Sequence, residues 1–294
     1  MRNLTLLILF CSSFEMQAQL PGYEIYYMYI GSNEDSGYVY SEPLNITNLA
    51  GYDNQPSFSK DGSKILYASI RDEKQSDIYV YDCNTNTTKQ FTNTIESEYS
   101  PEVSPDGKYI TAVRVEQDSS QRLWQFKQKN KKPKVLLQYI YDVGYYCRIN
   151  ADKIALFQLP EPFTLKLASA INQNANIIDK NIGRCIKMIP GENAFCYITK
   201  DDTLAWTIRK FDLSTNDISL LTNIDVTAED FAWYRDGNLF MAEGSTIYYY
   251  DYNEDNTWFR FDDFSKFGIE KIYRIAFSLD GNWMAFVAEE TIRK

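Results

Sequence analysis

Short apolar runs separated by polar turns recur along most of the chain, and one such unit repeats. Residues 55–67 read as an apolar strand, an Asp61-Gly62 turn and a second apolar strand. The unit returns around Asp106-Gly107, Asp236-Gly237 and Asp280-Gly281, and in weaker form over residues 148–156 and 188–195. Anchored on the second turn position, the copies fall at Gly62, Gly107, Asp152, Glu192, Gly237 and Gly281. That spacing of about 45 residues, with four strands per unit, is the signature of propeller blades. No long stretch carries apolar residues at helical spacing, so helices do not organise the chain. Asp-Gly supplies the positive φ values of a two-residue hairpin, which is the turn expected here.

The remaining strands follow in register. Residues 77–81, 122–126, 207–211 and 246–250 read as third strands, and residues 89–92 and 219–222 as short outer strands. The sixth unit runs out of chain after residues 283–288, two strands short. Residues 24–29 and 43–48 supply the missing pair, which would close the ring and cover two strand edges. The fold class expected is therefore all-β, a six-bladed β-propeller of four-stranded blades whose last blade is completed by N-terminal strands.

Before the first unit, Met1-Arg2-Asn3, a short apolar run and a small residue at Ala18 match a secretory signal peptide, too short to span a bilayer. The expected organisation is a leader over residues 1–18 and a single propeller domain over 19–294, in the periplasm or outside the cell. Phe10 before Cys11 argues against a lipid anchor, and Cys83, Cys147, Cys185 and Cys196 read as free thiols rather than a disulfide scaffold.

Composition narrows the chemistry. The chain carries 40 acidic against 30 basic residues, a net charge of −10, which disfavours nucleic acid as a partner. No basic amphipathic stretch marks membrane binding. There is no histidine, so the commonest general base and transition-metal ligand are both missing. No GxSxG elbow is present. No catalytic residue, metal site or cofactor is assigned. The acidic pairs Glu34-Asp35, Asp201-Asp202 and Asp262-Asp263 could suit calcium but read as solvated turns.

The strand-Ser-Pro-Asp-Gly-Lys-strand pattern at residues 104–110, with its near copy at 59–66, resembles the TolB-type propeller repeat. The resemblance covers nearly the whole chain after residue 18 and implies a stand-alone propeller, because the first anchor, Gly62, leaves no room for the separate N-terminal domain of TolB. It implies one of three roles: a protein-interaction platform, a regulatory propeller of a prolyl-oligopeptidase-like enzyme, or a lyase. Propeller lyases use metal-binding histidines, which this chain lacks.

The segments just before the inner strands converge at one channel mouth in such a fold. They form a mixed rim, from which Tyr99, Tyr145, Tyr146, Arg184, Glu229 and Arg274 are selected as binding residues, since Tyr and Arg dominate contact hot spots. The same residues could instead staple neighbouring blades. The function expected is non-catalytic protein or peptide binding by an exported monomer. The alternatives are a carboxylate-based enzyme acting on carbohydrate or peptide, and a regulatory propeller for a separate catalytic chain.

Overall fold

The structure is a computed structural model that describes residues 22–33, 37–71, 75–200, 206–224, 228–254 and 256–289. The proposed leader, Cys11, Glu34-Asp35 and Asp201-Asp202 lie outside the described residues.

Strands dominate, and consecutive strands pair antiparallel into successive sheets. Four four-stranded sheets take residues 97–135, 143–180, 182–224 and 231–263. A nine-stranded sheet contains the first and the last of the described strands. In it, Tyr23–Asn33 pairs antiparallel with Trp283–Glu289 from Tyr23↔Glu289 to Tyr29↔Trp283. The outer partners of Tyr23–Asn33 are Gly37–Tyr40 and Leu44–Asn45, so the expected outer strand at 43–48 is reduced to two residues and an additional strand precedes it. One parallel contact, Tyr23↔Tyr52, with Tyr23 N–H donating to Gly51 O at 2.8 Å, joins this unit to the strands of residues 52–90.

Position within a sheet sets the burial of each strand. Second strands such as Lys64–Ile70 and Tyr109–Val115 are covered on both faces, which fits their mostly apolar sequence. Outer strands such as Thr87–Gln90 are exposed and polar. The core lies between sheets. Leu66 and Ile78 pack on Ile110 and Phe126 of the next sheet, and Ile25, Ala285 and Val287 pack on Ile65 and Tyr67.

The Asp-Gly turns differ from the expected two-residue hairpin. Ser59 N–H donates to Lys64 O and Gly62 N–H to Ser59 O, enclosing four residues. Gly62 has φ +69, whereas Asp61 does not enter the left-handed region. Asp61 acts instead as a side-chain staple: Ser59 Oγ donates to Asp61 Oδ1 at 2.6 Å and accepts from Lys64 N–H at 2.9 Å. Ser104–Asp106 and Ser278–Asp280 repeat this. The weaker copies use other turn chemistry. Pro190-Gly191 fits the central positions of a type II turn, with Gly191 at φ +76, and in the tighter loop Asn150 Oδ1 accepts from Asp152 N–H.

Candidate functional site

The first strands of successive sheets enclose a cavity of about 550 Å³. Near one end stand Gln55, Ser100, Tyr145, Cys185, Asp230 and Arg274, each at the same offset before its turn anchor. Two features aim these side chains. Gln55 and Ser100, each before a proline, take φ +59 and +51, and pairing shifts register there. Such bulges turn a strand locally and redirect its side chains.

Arg274 spans the cavity. Its Nη1 donates to Asp230 Oδ2 at 2.8 Å in the neighbouring sheet, and its Nη2 to the Tyr145 hydroxyl at 3.2 Å in a sheet 129 residues earlier in the chain. Its guanidinium also lies 5.3 Å from the centre of the Tyr145 ring. Burial pulls the Arg274 pKa down, but Asp230 and the other neighbours, Tyr145 and Tyr52 among them, together outweigh it and the net direction is up. The other expected residues divide. Arg184 lines the cavity, its Nε 3.9 Å from Glu229 Oε2 and without a hydrogen-bond partner. Glu229 is held by Lys200. Tyr99 packs edge-on against Tyr52 at 6.4 Å. Tyr146 is 5 % exposed and donates its hydroxyl to Ser100 O and Thr111 O at 2.8 and 2.7 Å, so it staples two sheets and leaves little surface for contact.

Several groups near the mouth were not selected from the sequence. Tyr273, Tyr23, Tyr52 and Tyr99 form a chain of edge-on rings, with centroids 4.9, 5.9 and 6.4 Å apart. Asp230, and not its expected neighbour Glu229, is the counter-ion of Arg274. Deeper in the cavity are Glu102 and Lys187, again at one offset before their anchors, Gly107 and Glu192. Burial raises the Glu102 carboxyl, against the pull of Lys187 and Arg148. Burial lowers the Lys187 ammonium, but its negative neighbours outweigh this and raise it overall. The adjacent thiols Cys147 and Cys185 are each pushed up to about 12 by burial, so they are neutral at neutral pH. The carboxylates Asp230 and Glu102 are therefore the neighbours that keep Lys187 charged. A shared offset from the turn anchor was the available sequence signal for both groups.

The acidic pair that falls within the described residues is structural. Asp262 pairs with Lys266, and Asp263 accepts from Ser265 N–H to cap a short 3-10 helix. Among the described residues, no group of three or more His, Cys, Asp or Glu is placed to hold a metal ion, and Cys83, Cys147, Cys185 and Cys196 are free.

The fold is that of the TolB-like β-propellers. A TolB from Agrobacterium tumefaciens superposes with a TM-score of 0.70 at 10% identity, over 92% of this chain and 99% of that one. TolB from Acinetobacter baumannii gives 0.57 at 14% identity, over 92% of this chain and 64% of that one, so this chain spans less than two thirds of its length. Oligogalacturonate lyase from Vibrio parahaemolyticus gives 0.53 at 10% identity, over 93% and 99%. No family model matches the sequence, and no curated protein does. At these identities the likeness carries the fold and leaves function to the site.

Proposed function

We propose that the chain is an exported, single-domain, six-bladed propeller that binds a protein or peptide at the tyrosine- and arginine-lined mouth of its central cavity. The observation that carries the reading is the convergence of Tyr145, Arg184 and Arg274 on that cavity, from inner strands far apart in sequence. The six-blade count is supported by apolar clusters between consecutive sheets, including one that brings the strands of the two chain ends against residues 64–82. Export rests on the leader-like first 18 residues, and a periplasmic or surface location follows from it. The protein acts as a monomer, without nucleic acid or membrane insertion. Among the described residues no helix is long and apolar enough to cross a membrane.

A scaffold role is favoured over carboxylate catalysis by what the carboxylates are doing. An acid–base pair needs two free carboxyl groups near the substrate, and Asp230 is committed to Arg274. Tyr rings and guanidinium groups offer contact area and directed donors instead. Photo-crosslinking from the mouth and from the opposite Asp-Gly turn face tests the reading. Adducts confined to the mouth support it, and adducts confined to the turn face overturn it.

A further inference from the structure

The cavity is unevenly charged in a way that the mouth alone does not explain. Asp230 neutralises Arg274 at 2.8 Å. Among the described residues Glu102 forms no ion pair; Lys187 and then Arg148, whose Nη1 donates to Thr111 Oγ1 at 3.1 Å, are the cations that act on its carboxyl. Glu229 is occupied by Lys200 and stands 3.9 Å from Arg184. Lys187 lines the cavity with Asp230 and Glu102 as its acidic neighbours. Among the described residues it forms no ion pair and no side-chain hydrogen bond. The Nε of Arg184, on the same strand nearer the mouth, is buried without a partner. Arg184, Lys187, Arg235 and Arg274 thus line the cavity against Glu102 and Asp230, a positive excess in a chain whose net charge is −10. Burying an unmet donor is costly, so such a group is usually completed by a ligand or by ordered water. The cavity, at about 550 Å³, has the size of a small-ligand pocket.

We propose that Lys187, with Arg184, forms an oxyanion-binding site inside the cavity that takes a carboxylate or phosphate group entering through the tyrosine-lined mouth. The proposal rests on the mouth being the binding face and adds the chemical class of what enters it. A planar guanidinium and a point-like ammonium together suit either oxyanion. The source of the anion, a free ion or the end of a bound chain, is what the experiment separates.

The mature protein is titrated by calorimetry with sodium phosphate, with citrate and with acetyl-Gly-Gly-Ala carrying a free or an amidated C-terminus, all against sodium chloride at matched ionic strength. Saturable binding of at least one oxyanion is expected. Lys187→Met should weaken it by about tenfold or more, Lys187→Arg should retain most of it, and Lys108→Met on the turn face should leave it unchanged. Tighter binding of the free-acid peptide than of phosphate, with loss on amidation, identifies a chain end. Phosphate or citrate binding at least as tightly identifies a free ion. Arg184→Gln provides a second variant if Lys187→Met fails to melt cooperatively, and should also weaken binding. No saturable response to any oxyanion, or a response that Lys187→Met and Arg184→Gln both retain, overturns the proposal. Failure here, with crosslinks still confined to the mouth, removes the anion site and leaves the binding face standing.

Discussion

Arg274 donates to Asp230 at 2.8 Å across two neighbouring sheets, and the residues are separated by 44 positions, one sequence repeat. The repeat spacing therefore reappears as contacts between equivalent positions. Ser100 N–H donates to Gln55 Oε1 at a separation of 45. Arg274 and Asp230 are nearly buried, with side chains 12% and 7% exposed. Breaking such a pair from one side strands the other charge. Asp230→Ala or Arg274→Ala should each cost about 3 kcal/mol in denaturant unfolding, and the double variant clearly less than the sum. Arg274→Lys should not restore wild-type stability, because an ammonium cannot reach both Asp230 and Tyr145 through one planar fork. Additive losses would mean that the pair is not coupled.

Glu98 provides a pH test. Its side chain is fully buried, Oε2 has no hydrogen-bond partner, and Arg114 Nε lies 3.0 Å from Oε1. Burial pushes its carboxyl up to about 7, against the pull of Thr94 and Arg114. A carboxyl raised in the folded state binds its proton more tightly there than in the unfolded chain. Its contribution to stability therefore grows as pH falls from about 7 toward the ordinary carboxylate range, and is lost as pH rises through that window. Glu98→Gln mimics the protonated form. It should stabilise the protein by on the order of 2 kcal/mol at pH 8 and by little at pH 4.5. A benefit equal at both pH values would contradict this account.

The joined chain ends predict what truncation does. Tyr23–Asn33 pairs along Trp283–Glu289, and Tyr27 stacks on Trp283 at 4.7 Å. Deleting residues 19–48 should abolish cooperative melting, because it bares a buried strand. Tyr38 is the finer probe. Its ring meets Tyr234, Phe240, Tyr249 and Phe261, and its hydroxyl donates to Asp236 at 2.6 Å. Tyr38→Ala should cost about 3 kcal/mol and Tyr38→Phe about 1, read from denaturant midpoints.

Export is tested separately. N-terminal sequencing of protein from the envelope fraction should begin at Gln19 or within a few residues of it. Recovery of the Met1 end from the cytoplasm alone would refute the leader.

The parts of the fold that were legible in sequence are those where backbone geometry dictates residue type. Gly62, Gly107, Gly237 and Gly281 all hold positive φ, and they fixed the register of the repeat. The site was less legible because its positions do not share a residue type. Glu102 and Lys187 occupy the same level as Ser57, Ala232 and Ala276. Alternation could not be counted through the strand either, since the bulges at Gln55 and Ser100 change its phase. Tyr145 and Tyr146 are indistinguishable by composition, yet one bonds Arg274 and the other is buried between sheets. Arg184 and Tyr145 are consequently cleaner probes of binding than Arg274, whose loss also unpairs Asp230.

The binding face is tested most directly by placing a photo-crosslinking side chain at Tyr99, Tyr145 or Arg184 on the mouth, and at Lys60 or Lys108 on the turn face, in the protein expressed in its source cell. The account predicts a discrete adduct from the mouth positions and none from the turn positions. It further predicts that Tyr145→Ala or Arg184→Ala weakens the captured partner's affinity by roughly 1–3 kcal/mol. Adducts from Lys60 and Lys108, with silent mouth positions in a folded protein, would contradict it.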